Sequence, residues 1–141
     1  MYWNSFNDFV HMGGYGLYVW GSAGMALTVG AGTVNLTGST ASTSVSIASG
    51  ATLRDDNGGL NTGASVNVAG TLALGGNQTI SQLDGAGAVD LGTSTLVVGQ
   101  GVFSGGLAGT GGLNKQGSGL LTLSGTSSYS GATSVQGGTL A

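Results

Sequence analysis

From residue 27 onward, apolar and polar positions alternate in short runs. Leu27-Thr28-Val29, Val34-Asn35-Leu36, Val45-Ser46-Ile47, Val66-Asn67-Val68, Leu72-Ala73-Leu74, Val89-Asp90-Leu91, Leu96-Val97-Val98 and Leu121-Thr122-Leu123 all follow this pattern. A period of two sends neighbouring side chains to opposite faces, so the runs predict half-buried strands of roughly 3–6 residues. Turn residues separate them: Gly30-Ala31-Gly32, Asp55-Asp56-Asn57-Gly58-Gly59, Gly75-Gly76-Asn77, Gly105-Gly106 and Gly137-Gly138. Such punctuation also suits a β-sandwich or a barrel. Recurrence decides for a solenoid. Gly50-Ala51-Thr52-Leu53, Gly63-Ala64-Ser65-Val66, Gly70-Thr71-Leu72 and Gly138-Thr139-Leu140 are alike, and Leu53 to Leu72 and Leu121 to Leu140 both span 19 positions. A coil of about 20 residues is too thin to bury its own apolar face, so coils must stack, and residues 27–141 have length for roughly five or six.

Composition alone resembles a flexible linker, with 31 Gly, 17 Ser and 16 Thr among 141 residues. Against that, Leu, Ile, Val and Phe fill 33 positions and the net charge is only −3. The absence of Pro fits a coil whose backbone must donate to its neighbours. The absence of Cys excludes disulfides, thiolate nucleophiles and zinc–thiolate sites. One Lys and one Arg cannot neutralise a phosphate backbone, so no nucleic-acid partner is expected. Like positions in a parallel stack lie about 4.8 Å apart, where repeated charges repel. Stacked Thr, Ser and Asn are expected to hydrogen-bond from coil to coil instead.

Residues 1–26 have a different character. They hold Trp3, Trp20, Tyr2, Tyr15, Tyr18, Phe6, Phe9, every Met and the single His11, whereas only Phe103 and Tyr129 represent the aromatics afterwards. The expected organisation is a short, aromatic and Gly-rich segment over 1–26, with helix or a membrane-proximal position open to it, followed by solenoid coils over 27–141. No charge falls between Asp8 and Arg54, so residues 9–29 are the best candidate for a membrane span, with a cap on the solenoid's end as the other reading. No positive n-region of an export signal is visible. The last residues, Gly138-Thr139-Leu140-Ala141, read as the start of another coil, so 27–141 is expected to be a fragment that associates through open coil ends.

The stretch Gly111-Gly112-Leu113-Asn114-Lys115-Gln116-Gly117-Ser118-Gly119-Leu120-Leu121-Thr122-Leu123-Ser124-Gly125, then Tyr129-Ser130-Gly131-Ala132-Thr133 and Gly137-Gly138-Thr139-Leu140, resembles the passenger-associated strand repeat of autotransporters. Val66 to Gly99 is similar to the looser coils that precede this repeat. The resemblance implies an all-β, right-handed, single-stranded parallel β-helix that is secreted through an outer-membrane barrel. It implies packing and coil-capping roles for Lys115 and Tyr129. A second resemblance lies at the other end. Phe6-Asn7-Asp8-Phe9, then Met12-Gly13-Gly14-Tyr15-Gly16-Leu17-Tyr18-Val19-Trp20, is similar to the start of haem exporter protein D of cytochrome c maturation. That implies an inner-membrane subunit with cytochrome c maturation partners. The sequence departs from that family after Met25-Ala26-Leu27, where a strand pattern replaces an aliphatic helix. Two resemblances meeting near residue 26 suggest a fusion, of natural or engineered origin, or a misassembled reading frame.

Candidate chemistry is sparse. His11 lies three positions from Asp8, but one His without other ligands favours a surface or interface role over haem or metal. Asp55-Asp56-Asn57-Gly58 resembles part of a calcium loop without its alternating ligands and distal Glu, which favours a solvated turn. Asp84 and Asp90 could pair as glycoside-hydrolase carboxylates, but nothing else supports a site. No catalytic, cofactor-binding or metal residue is therefore assigned. The expected function is a non-enzymatic structural or adhesion segment of an autotransporter passenger, at the cell surface and associated with the outer membrane. A translocator barrel and cell-surface ligands would be its partners. The alternatives are a haem exporter D-like inner-membrane subunit and a polysaccharide-active β-helix.

Overall fold

The computed structural model describes Gly16–Leu17 and residues 26–141. The strands are β1 (Gly16–Leu17), β2 (Ala26–Val29), β3 (Thr33–Leu36), β4 (Ser44–Ile47), β5 (Thr52–Asp55), β6 (Ser65–Val68), β7 (Thr71–Leu74) and β8 (Gln78–Gly85). They continue as β9 (Ala88–Asp90), β10 (Thr95–Phe103), β11 (Gly106–Ala108), β12 (Gly112–Lys115), β13 (Leu120–Leu123), β14 (Thr133–Val135) and β15 (Thr139–Leu140). Among the described residues there is no helix.

Every strand pair is parallel, and partners lie one coil apart in sequence: Thr71 beside Ala88 at the shortest spacing, Ser44 beside Ser65 at the longest. The first side of the solenoid is a six-stranded ladder, β1-β3-β5-β7-β9-β11. The other strands form a nine-stranded sheet that covers two sides, because β8 and β10 are long enough to run along both. The C-terminal part of β10 pairs with β13, and its N-terminal part pairs with β12. The coils from Gln78 to Ala108 therefore carry three strand segments, whereas the coil of β12 and β13 has an irregular third side over residues 124–132. Earlier coils carry two strands and an irregular third side over residues 37–43 and 56–64. The solenoid expected from the recurrence is present, with about six rungs on its first side.

The burial pattern follows the period of two. Strands β2, β4 and β6 alternate exposed and buried along their whole length. Inward residues stack in columns: Val34–Leu53–Leu72–Val89–Leu107 on the first side and Val45–Val66–Leu83 on the second. These are all buried and belong to one continuous apolar cluster. No coil has a core of its own; each is covered by the coils above and below, as quasi-one-dimensional stacking requires.

Glycine sets the corners. Gly70, Gly87, Gly105 and Gly125 follow one another from coil to coil. A Cβ on Gly87 would collide with the carbonyl oxygen of Gly70, one on Gly105 with that of Gly87, and one on Gly125 with that of Gly105. Backbones pass too closely there for any side chain. The buried aromatic uses the same device. Phe103 pairs with Gly85, and a Cβ on Gly105 would lie 2.7 Å from its ring. Small neighbours thus make room for the ring inside a column otherwise built of Val29, Ile47, Val68 and Leu123.

Of the candidate span 9–29, the described residues are Gly16–Leu17 and Ala26–Val29, and all lie in solenoid strands. Among the described residues no helix is long and apolar enough to cross a membrane.

Candidate functional site

Three inward positions carry polar side chains where neighbouring coils carry apolar ones. The first is Asp55, at the end of β5. The segment Thr52-Leu53-Arg54-Asp55 aligns residue by residue with Thr33-Val34-Asn35-Leu36 below and Thr71-Leu72-Ala73-Leu74 above. Asp55 therefore occupies a leucine position, and it is fully buried. The solvated-turn reading of Asp55-Asp56-Asn57-Gly58 is corrected at this residue: strand parity sends the carboxyl inward even though the turn begins at the next position. Its Oδ1 accepts from the Gly59 N–H at 2.7 Å, and Oδ2 has no hydrogen-bond partner among the described residues. Burial pushes its carboxyl above the ordinary aspartate value, while the N–H groups of Gly59, Leu60, Asn57 and Gly58 pull the other way without cancelling the shift.

The second is Gln78, which begins β8. Its Nε2 donates to the Leu60 carbonyl at 2.9 Å, and its Oε1 accepts from the Leu60 N–H at 3.0 Å. The side-chain amide thus satisfies both backbone groups of a buried residue on the irregular third side, as a strand partner would. Asn57 and Asn61 tie the same segment to the coil below, donating to the carbonyls of Thr37 and Ala41. The loop over 56–64 is consequently held from inside by Asp55 and from the adjacent coils by Gln78, Asn57 and Asn61.

The third is Lys115, at the end of β12 in the column Ile80–Val98–Lys115–Val135. It is fully buried, and its Nζ donates to the carbonyls of Gln116 at 2.6 Å, Gly117 at 3.2 Å and Gly137 at 3.2 Å. Three acceptors match the three N–H bonds of an ammonium group. A Cβ on Gly138, whose φ is +67°, would lie 2.6 Å from this Nζ, so Gly138 gives the group both the turn and the space it needs. Tyr129 packs against the apolar cluster and places its hydroxyl 2.6 Å from the Thr133 hydroxyl. Lys115 and Tyr129 thus sit as packing and coil-closing residues.

Hydrogen bonds between stacked side chains differ from the expectation for Thr, Ser and Asn. Thr33, Thr52 and Thr71 stack in register, yet amides make the contacts: Gln100 donates to Gln82 at 3.4 Å and Gln116 to Gln136 at 2.8 Å. A short hydroxyl stops short of the next rung, whereas a glutamine spans the gap. Asn, Ser and Thr reach the neighbouring coil's backbone, as in Thr95 N–H to Asn77 at 2.8 Å and Ser104 to the Gly85 carbonyl at 3.3 Å.

On the outer face of the first side lies an open recess of about 400 Å³. Ala73 and Gly75 leave the space, and Arg54, Asp56 and Asp90 flank it. Arg54 Nε lies 3.9 Å from Asp56 Oδ1, with both side chains well exposed, an ion pair of little energetic weight. Asp84 and Asp90 are not brought together: Asp84 is in the nine-stranded sheet and Asp90 in the six-stranded one. Asp84 accepts from the Gln82 side chain and from the Val102 N–H of the next coil, and Asp90 from the Gly92 N–H, so the two carboxylates have separate partners. Among the described residues no group of three His, Cys, Asp or Glu could hold a metal ion. His11 and Asp8 lie outside the described residues.

Residues 113–141 match the family model of the passenger-associated-transport-repeat. This match starts within β12 and takes in β13, β14 and β15, the coils built around Lys115 and Tyr129. The repeat family implies a secreted or cell-surface location. Comparison with curated proteins and with solved structures found no match. The resemblance to haem exporter protein D lies outside the described residues apart from Gly16–Leu17, and no comparison supports it.

Proposed function

We propose that this chain is a stretch of autotransporter passenger stalk: a non-enzymatic rod at the cell surface that carries other modules away from the outer membrane. The observation that carries this reading is the passenger-associated-transport-repeat at 113–141, joined by unbroken parallel pairing to the coils before it. Polar groups in those coils go into closing the structure, which supports a non-enzymatic stalk. Lys115 donates to three carbonyls, Asp84 accepts from the Val102 N–H of the next coil, and Asp90 accepts from the Gly92 N–H. A stiff stack fits a spacer, because each coil is fixed by its neighbours over its whole length. The partners of such a stalk are a translocator barrel and cell-surface ligands.

Fractionation and surface proteolysis of the cells that produce the chain test the proposal. The expected result is a protein degraded by protease added to intact cells and recovered with the outer membrane or the medium. Recovery in the inner membrane, resistant to carbonate extraction, would overturn it.

A further inference from the structure

Asn57-Gly58 is the one Asn–Gly pair in the sequence, and it lies in the turn that follows the buried Asp55 and donates to it from Gly59. We propose that Asn57 is a self-modifying site, where the Asp55 carboxylate acts as base for intramolecular deamidation. Four observations meet there. Asn57 is exposed, so water reaches its side-chain amide. Gly58 has φ +70° and no Cβ to shield its nitrogen. The Gly59 N–H donates to Oδ1 of the Asp55 carboxylate at 2.7 Å, which sets that carboxylate against the Asn57–Gly59 turn. Finally, Oδ2 of that carboxylate is buried without a hydrogen-bond partner among the described residues, leaving a lone pair free for a proton. Burial also strengthens the carboxylate as a base, because it raises the affinity of Asp55 for a proton.

The chemistry balances without an outside oxidant or reductant. Asp55 takes the proton from the Gly58 N–H as that nitrogen attacks Cγ of Asn57. The new N–Cγ bond closes a five-membered succinimide, and the Cγ–Nδ2 bond breaks. The nitrogen leaves as ammonia, its added proton delivered through solvent. Water then opens the ring at either carbonyl, leaving aspartate or isoaspartate at position 57. The product lacks the Nδ2 that donates to the Thr37 carbonyl at 3.0 Å, so one tie between coils is lost. It also adds a negative charge beside Asp56. Modification would loosen the irregular third side and leave the paired strands intact.

The surroundings of Asp55 make its ionisation readable. Its column neighbours are Leu36 and Leu74, and the clasp beside it is the uncharged Gln78. The adjacent Arg54 and Asp56 side chains are 59% and 37% exposed, and Asp90 lies on the outer face of the same sheet. Asn61 is an internal control: it makes the same kind of tie, to the Ala41 carbonyl at 3.1 Å, but is followed by Thr62.

The test incubates the folded chain in oxygen-18 water at neutral pH and reads the peptides carrying Asn57, Asn61 and Asn77 by mass spectrometry. Conversion at Asn57 to aspartate and isoaspartate carrying the label is expected, with Asn61 and Asn77 unchanged. Asp55→Asn should slow it on the order of a hundredfold, the low end of what a positioned base contributes. Equal conversion at all three sites, or a folded Asp55→Asn chain that reacts at the unsubstituted rate, would overturn the proposal. If Asp55→Asn does not fold, the pH profile of the unsubstituted chain decides. A rate that levels off above the ionisation of one carboxyl supports the base. A rate that rises in proportion to hydroxide throughout overturns it.

Discussion

Asp55 stands where Leu36 and Leu74 stand in the adjacent coils, and that single exchange sets the sign of a pH effect. Burial raises its pKa in the folded chain above the value it has when unfolded. At pH below the ordinary aspartate range both states hold the proton, and the neutral acid is buried at full benefit. As pH rises, the unfolded chain releases its proton first, so the folded state loses stability until its own raised pKa is passed. This direction is opposite to that of a salt-bridged carboxylate. Thermal unfolding followed by circular dichroism should therefore show Tm falling across that window. Asp55→Asn should remove this part of the slope, and parallel curves for the two proteins would sink the assignment. Lys115 is the counterpart at the other end. It is a buried cation position whose neighbours are carbonyl dipoles, with every donor engaged.

At the scale of the element, a strand here is only three or four residues on most sides, too short to persist alone. What lets such strands stack is the corner. Gly70, Gly87, Gly105 and Gly125 bring consecutive backbones so close that each carbonyl occupies the space of the next Cβ. Gly87→Ala should accordingly cost about 2–3 kcal/mol by forcing two coils apart. Gly30 provides the contrast, since a Cβ there meets nothing within 4 Å, and Gly30→Ala should be close to neutral. Urea titration of both variants measures the difference. Equal destabilisation would show that chain entropy, rather than close approach, governs these glycines.

For the whole molecule, stacking makes stability a sum of coils and nearest-neighbour interfaces. Leu53 and Leu72 touch across one interface, whereas Val34 and Leu121 are several coils apart and share no partner column. Substituting Ala at both Leu53 and Leu72 should give a free-energy change that departs from the sum of the singles by more than about 0.5 kcal/mol, because the two cavities merge. Val34→Ala with Leu121→Ala should add within about 0.3–0.5 kcal/mol. Double-mutant cycles in denaturant measure both. Strong coupling between the distant pair would argue against a one-dimensional stack. The same geometry bears on the stalk reading. A rod held by local interfaces can gain or lose coils without redesign of the rest, which suits a spacer.

Much of this architecture is legible in the order of residues. Alternation in runs such as Val45-Ser46-Ile47 gives the strands because side-chain direction has a period of two, and the repeat near 20 gives the stacking because one coil cannot bury its own face. The Lys115 and Tyr129 positions were also legible, through their place in a repeat. The parity of Asp55 is legible in Thr52-Leu53-Arg54-Asp55, but the turn residues that begin at Asp56 mask it, because an Asp beside Asn and Gly reads as part of the turn. Gln78 left no local signal at all, since its role depends on Leu60 standing in the coil below without a strand partner. Which side of each coil is irregular, which glycines lack room for a Cβ and which amides bridge the rungs were decided only by tertiary structure. These depend on the register between coils, and register is a property of the stack as a whole, set by how columns of Leu, Val and Phe fill the interior together.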